Sequence, residues 1–212
     1  MRMYFQHLPK DFYTLDANTN SLDIVTNITQ SVRFDDAIKT NGAAYYTYIV
    51  SDGDTPEAIA DKIYGSSQYH WIVLLMNDIV HPQFDWPLDK NSFIRYVDTK
   101  YTAQANNTMS GLNWAKTNIQ SYRKIINRTI KTTGQKSTEI VKLDANSYAN
   151  VVVTSNDYTL QNGVVITQSV NKDYLTYYTY EEGINEQKRQ IRLLRPQFLN
   201  SVTKEMEERF LT

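Results

Sequence analysis

The stretch from Tyr46 to Ile79, YTYIVSDGDTPEAIADKIYGSSQYHWIVLLMNDI, restricts the fold more than any other part of the chain. It opens with an alternating run, Tyr46, Tyr48 and Val50 on one side and Thr47, Ile49 and Ser51 on the other. β-Branched and aromatic residues at a period of two predict a short strand. Asp52-Gly53 then turns the chain. Asp54 or Thr55 supplies an N-cap, Pro56 suits the first helical position, and Glu57 sits well against the helix dipole. Ile59 and Ile63 stack on one face of the helix that follows, and Gly65 is placed to end it. Ser66 or Ser67 caps a second helix over 68–77. That helix carries Tyr69, Trp71, Ile72, Val73, Leu74, Leu75 and Met76, so it must be buried on most sides.

Strand, turn, helix, glycine and helix make a compact unit. GDTPEAIADKIYG followed by LLMNDI resembles the LysM pattern. The longer run IYGSSQYHWIVLLMNDIVHPQFDWPL resembles a LysM-like baseplate wedge protein of contractile-tailed, T4-like bacteriophages. The resemblance covers 44–101 and returns over 181–211, where NEQKRQIRLLRPQFLNSVTKEMEE is similar to the terminal strand and helix of that family. It implies a non-enzymatic structural subunit without cofactor, catalytic residue or metal. Its partners would be other wedge proteins in a six-fold assembly that clamps neighbouring wedges, with no nucleic acid, membrane or small-molecule substrate. It would reside in the virion tail baseplate after synthesis in the host cytoplasm. LysM modules of the cell-wall-binding kind imply an alternative, binding of peptidoglycan as an N-acetylglucosamine polymer. Their groove maps here onto Gly53, Asp54, Thr55 and Pro56 in one loop and Asn77, Asp78, Ile79 and Val80 in the other. The apolar second helix calls for more burial than a free-standing glycan module needs, which favours protein docking.

Chemistry is sparse. The chain has 212 residues and no cysteine, which excludes disulfides, thiolate metal sites and cysteine nucleophiles. A net charge of −1 provides no overall field toward nucleic acid or anionic membranes. No apolar run approaches about 18 residues, so no membrane span is expected. Residues 1–20 contain no basic segment followed by an apolar one, so no signal peptide is expected. His7, His70 and His81 lie far apart without metal-ligand spacing. There is no G-x-S-x-G elbow and no glycine-rich phosphate loop. Glu181-Glu182 and Asp35-Asp36 are adjacent pairs that solvent accounts for. Sixteen Tyr against seven Phe fit either β structure or broad protein interfaces.

The expected fold class is α+β, in four segments. Residues 1–40 form an extended arm, polar and turn-rich, that orders against a partner or the main domain; SVRFDDAIK within it suggests a short strand or helical turn. Residues 41–101 form the LysM-like β-α-α-β domain and a following helix. There Phe84, Trp86 and Leu88 alternate between prolines as a strand expected to pair with Tyr46–Val50. A helix over 90–101 then presents Phe93, Val97 and Tyr101. Residues 102–180 form a β-hairpin-rich region. A helical piece is expected over 115–122, and strands over 122–130 and 139–143. Two further strands, 151–154 and 164–167, flank Asn162-Gly163, and the last runs over 174–180. Residues 181–212 form a strand and a docking helix. Lys188, Arg189, Arg192 and Arg195 read either as a solvated strand face or as a docking surface for an acidic partner. Phe198, Val202, Met206 and Phe210 form a stripe at four-residue spacing. Either a partner subunit or the chain's own domain must cover it.

Overall fold

The computed structural model describes residues 8–14, 22–27 and 39–211, with the backbone alone at 207 and 209–211. The chain divides into two compact units, Met1–Asp89 with Glu186–Thr212, and Lys90–Asn185. The cuts fall at 89/90 and 185/186, where the sequence segments end at 101 and 180. The SVRFDDAIK element, apart from Lys39, lies outside the described residues.

The first unit contains β1 (Lys10–Tyr13), β2 (Asp23–Thr26), β3 (Tyr45–Ile49), α1 (Pro56–Tyr64), α2 (His70–Met76) and α3 (Pro82–Asp85). The second contains α4 (Lys90–Ala105), α5 (Gly111–Thr117), β4 (Ile119–Ile130), β5 (Lys136–Leu143), α6 (Ala145–Ala149), β6 (Thr154–Thr159), β7 (Val165–Thr176) and most of α7 (Tyr177–Gln187). β8 (Gln190–Leu194) and α8 (Leu199–Leu211) return to the first unit. The class is α+β.

Local chemistry sets α1 as its sequence suggests. Thr55 is the N-cap, its hydroxyl accepting from the Ala58 N–H, and Pro56 opens the first turn. Gly65 ends the helix at φ +74°, a left-handed conformation that costs an L side chain about 1–2 kcal/mol. Ser66 caps a 3₁₀ turn, Ser67–Tyr69, that runs into α2. Trp71, Ile72, Val73 and Met76 of α2 are all buried. They divide between two cores. Trp71, Ile72 and Met76 pack with Leu8, Leu194, Leu199, Val202 and Met206. Val73 packs with Val50, Ile59, Ala60, Trp86, Ile191 and Leu193.

The strand that pairs with β3 is β8, antiparallel, with Tyr45 opposite Leu194 and Ile49 opposite Gln190. This corrects the expected pairing with the Phe84–Leu88 segment. Pro82 instead opens the helical turn α3, and Trp86 joins the core while its indole N–H donates to the Asp54 carbonyl at 2.9 Å. β8 wins the position because Ile191, Leu193 and Leu194 are all buried. Each fully buried aliphatic side chain contributes about 1.5–3 kcal/mol.

In the second unit α4 buries Phe93, Val97, Tyr101 and Ala105, one residue per turn. α5 crosses it at Gly111, where an added Cβ would lie 2.0 Å from the Asp98 carbonyl oxygen. The Tyr101 ring stacks on Trp114 at 5.6 Å and meets Tyr177 at 5.3 Å. The four-stranded antiparallel sheet has the order β5-β4-β7-β6. The β6–β7 turn sits where sequence places it, at Gly163, and Gly134 takes a positive φ in the β4–β5 turn. Three expectations change. Residues 151–153 are not strand, β6 beginning at Thr154. The 115–122 helical piece is the end of α5 followed by β4. The 174–180 strand stops at Thr176. There the Thr179 hydroxyl accepts from the Thr176 N–H (2.9 Å), and the Thr176 hydroxyl accepts from the Thr179 N–H (3.2 Å). That reciprocal cap starts α7 and overrides the β propensity of the tyrosines.

Candidate functional site

Both candidate loops border the first unit, and their polar groups are largely engaged within it. The Asp54 carboxylate accepts from the Tyr48 hydroxyl and the Ser51 N–H, each at 3.1 Å. Thr55 is occupied as the α1 cap, and Pro56 is buried. Gly53 lies at the exposed turn with φ +83°. In the other loop Asp78 adopts φ 56° and pairs with the buried Lys39. Ile79 packs against the second core, while Val80 is 70% exposed.

Asn77 plays a part that its sequence motif did not disclose. Its side-chain NH₂ donates to the Val73 and Arg192 carbonyls, both at 2.8 Å, and its carbonyl accepts from the Arg192 N–H at 2.7 Å. The amide therefore acts as one residue of a third strand on the free edge of β8. It ties the end of α2 to a strand 115 positions further along. The signal was an asparagine at the end of an apolar helix, a position as well suited to a C-cap, so the long-range role was hidden.

The basic cluster is also used internally. Arg189 donates to Glu186 (2.8 Å), Asp52 (3.2 Å) and the carbonyls of Val50 (3.3 Å) and Leu88 (3.2 Å). Arg192 donates to the Lys39 carbonyl at 3.0 Å and lies over the Tyr45 ring. Lys188 donates to the Phe84 carbonyl at 2.5 Å. Arg195 is exposed at the end of β8. Of the α8 stripe, Val202 and Met206 are buried in the first core and Phe198 is half-buried against it, so this part of the helix packs on its own unit. The Phe210 side chain lies outside the described residues. The structure thus brings Asn77, Asp78 and Arg192 together around Lys39, and leaves Arg195 apart from the ion pairs of Arg189.

Several large apolar side chains also face outward on this unit. Phe84 is 74% exposed, and Lys188 donates to its backbone carbonyl. The β1–β2 hairpin places Phe12 opposite Ile24, and both are exposed, as are Tyr13 and Leu22. Such anchors suit protein contacts better than catalysis. Among the described residues no three His, Asp or Glu side chains gather in a way that could hold a metal ion, and no helix is long and apolar enough to cross a membrane.

The family described as base plate wedge protein 53 matches residues 3–207. The chain belongs to that family. Within it, baseplate wedge protein gp53 of Enterobacteria phage T4 is 31% identical over 55 residues, which is 26% of this chain and 28% of the T4 protein. The aligned stretch therefore spans little more than a quarter of either. Membership makes the chain a structural component of a bacteriophage baseplate wedge, and the exposed apolar anchors are the features of its surface that fit such a role.

Proposed function

We propose that this wedge protein is a non-enzymatic clamp that joins neighbouring wedges of a six-fold phage tail baseplate, and that the first unit is a LysM-like module used for protein docking. The order β3, α1, α2 and closing strand β8 supports the LysM-like reading. The observation that carries the clamp is the pair Val80 and Phe84, large apolar side chains exposed on an internally satisfied loop. A clamp also needs several modest surfaces whose joint engagement gives avidity. The hairpin β1–β2 with Phe12 and Ile24 supplies another, ordered against a partner as an arm. A two-stranded hairpin is marginal by itself in water.

Peptidoglycan binding would draw on the same loops. Sugar hydroxyls need free donors and acceptors, and here the side chains of Asp54, Thr55, Asn77 and Asp78 already have partners. The discriminating experiment combines Val80→Asp with Phe84→Asp. The isolated chain should fold with an unchanged melting curve, while wedges supplied with it fail to join. Tight sedimentation of the unsubstituted chain with insoluble peptidoglycan, together with no entry into wedge complexes, would overturn the clamp.

A further inference from the structure

The four-stranded sheet of the second unit has an anomaly. Among the described residues, no hydrophobic side chain of β4, β5, β6 or β7 is buried. An antiparallel sheet is ordinarily stable because one face packs on a core. Register assigns the two faces. Because side chains alternate, Tyr122, Lys124, Ile126, Arg128 and Ile130 of β4 share one face. Their cross-strand partners extend it. Tyr174, Lys172, Val170, Gln168 and Ile166 come from β7, Leu143, Val141 and Glu139 from β5, and Tyr158 from β6. The opposite face carries Asn127, Thr129, Thr138, Thr167, Ser155 and Ser169, together with Ile125 opposite Ile140 and the charged Arg123, Lys142 and Asp173. The first face has the larger apolar stripe, Ile126 with Val170 and Ile130 with Ile166 and Tyr158, against the Ile125–Ile140 pair on the other.

Helix α6 covers one end of that stripe. Tyr148 packs on Tyr122 at 4.6 Å and lies under Lys172 at 5.2 Å. Further along this face Val141, Tyr158 and Tyr174 are exposed, while Ile126, Ile130, Ile166 and Val170 are half-buried. Charged residues lie on both faces, with Arg123 opposite Lys142 on the polar one. On the polar face Arg123 pairs with Asp173, and Lys131 with Asp157. On the apolar face Arg128 pairs with Glu139 at 2.9 Å. Lys124 and Lys172 stand directly opposite each other, and among the described residues neither has a carboxylate partner. Like charges opposed across strands are destabilising. The apolar face thus holds a stripe to be covered and an excess of positive charge to be neutralised.

We propose that this face docks an acidic, apolar segment of another protein, its hydrophobic side chains on the Ile126–Val170 and Ile130–Ile166–Tyr158 rows and a carboxylate between Lys124 and Lys172. The surface lies wholly within the second unit, so the proposal stands apart from the clamp assigned to the first.

The test places a photo-cross-linking phenylalanine analogue at Tyr158 of the full-length chain and assembles it with wedges made without this subunit. Expected is a cross-link to a segment of a different protein that carries Asp or Glu among apolar residues. The cross-link should fall at least tenfold in yield with Lys124→Glu plus Lys172→Glu and survive Lys124→Arg plus Lys172→Arg. The melting curve of the charge-reversed chain serves as the folding control, with Ile166→Lys as a second variant should the first not fold. A cross-link confined to the same chain overturns the proposal. So does one to a second copy, to a segment without carboxylates, or one indifferent to the charge reversal. Wedges that join equally well without the chain would sink the clamp and leave the cross-link to be read in the same particles.

Discussion

Replacing Asn77 with alanine is the sharpest test of how the first unit is held together. The change deletes three hydrogen bonds, two donated and one accepted. It strands the N–H and C=O of Arg192 on the side of β8 that faces away from β3. Each bond contributes about 0.5–1.5 kcal/mol net, and an orphaned buried group costs about 1–3 kcal/mol. The site is part-buried, so water recovers some of the loss, and a cost of about 2–4 kcal/mol follows. For a chain of this size that is a fall in Tm on the order of 5–15 °C. Asn77→Asp should be at least as damaging. A carboxylate keeps the acceptor for the Arg192 N–H but turns an oxygen toward two carbonyls. Urea unfolding followed by tryptophan fluorescence reads the change, since Trp71 and Trp86 both lie in this unit's cores. The amide of Arg192 should also lose hydrogen-exchange protection in step. A shift of either variant below about 0.5 kcal/mol would show that β8 is held by its apolar side chains alone, and that the amide bridge is incidental.

Met206→Asp should abolish the cooperative melt of the isolated chain, because a 2% exposed position offers the charge no partner; a normal melt would mean that α8 is not part of the core. Gly111→Ala should destabilise far more than Gly65→Ala, since only the former drives a methyl into backbone atoms; equal thermal shifts would contradict the α4–α5 crossing. Glu181 is 5% exposed and accepts from the Tyr101 hydroxyl and the Lys100 ammonium, each at 2.7 Å. Burial, then Glu181, raises the Tyr101 pKa, while at Lys100 the opposing effect of burial is outweighed by bonds to Glu181 and Tyr96. Both groups hold protons more tightly when folded. Their stabilisation is therefore complete below about pH 10 and is lost as pH rises through the folded values. Alkaline unfolding should be less steep in Glu181→Gln; an identical slope would refute the coupling. Residues 10–26 should be cut by protease in the isolated chain and protected in assembled wedges, and equal protection in both would remove the hairpin from the docking account.

Much of the first unit was legible because its signals are local. The Thr55 cap, Pro56 and Gly65 each act within a few residues, and the apolar density of α2 can mean little other than burial. The partner of β3 was not legible. Two segments could have paired with it, and the nearer one alternates as a strand should. The outcome turned on Trp86 finding the Asp54 carbonyl and on three buried residues in β8, facts of tertiary packing with no local trace. The same blindness affected the site. Arg189 and Arg192 read as a surface cluster because a sequence does not display the carbonyls of Val50, Leu88 and Lys39 that receive them. At Thr176 two threonines three residues apart overruled a tyrosine-rich run whose β propensity had been the stronger cue.

The discontinuous first unit has a consequence for assembly. β3 and α2 present apolar faces whose covers, β8 and α8, arrive only after the whole second unit has been synthesised. Until then Val50, Val73 and Ile72 lack the Ile191, Leu193 and Leu194 side chains that share their cores. Long-range pairing of this kind makes closure late, because loop entropy is spent before any contact offsets it. The second unit has no such dependence, since Lys90–Asn185 is continuous and its Tyr101–Trp114–Tyr177 cluster is complete within it. A chain built this way completes its second unit first and closes its first unit last. Val80, Phe84 and Asn77 therefore reach their final geometry only when the strand that Asn77 grips is in place. Any surface that depends on that loop is withheld from partners until the chain is whole.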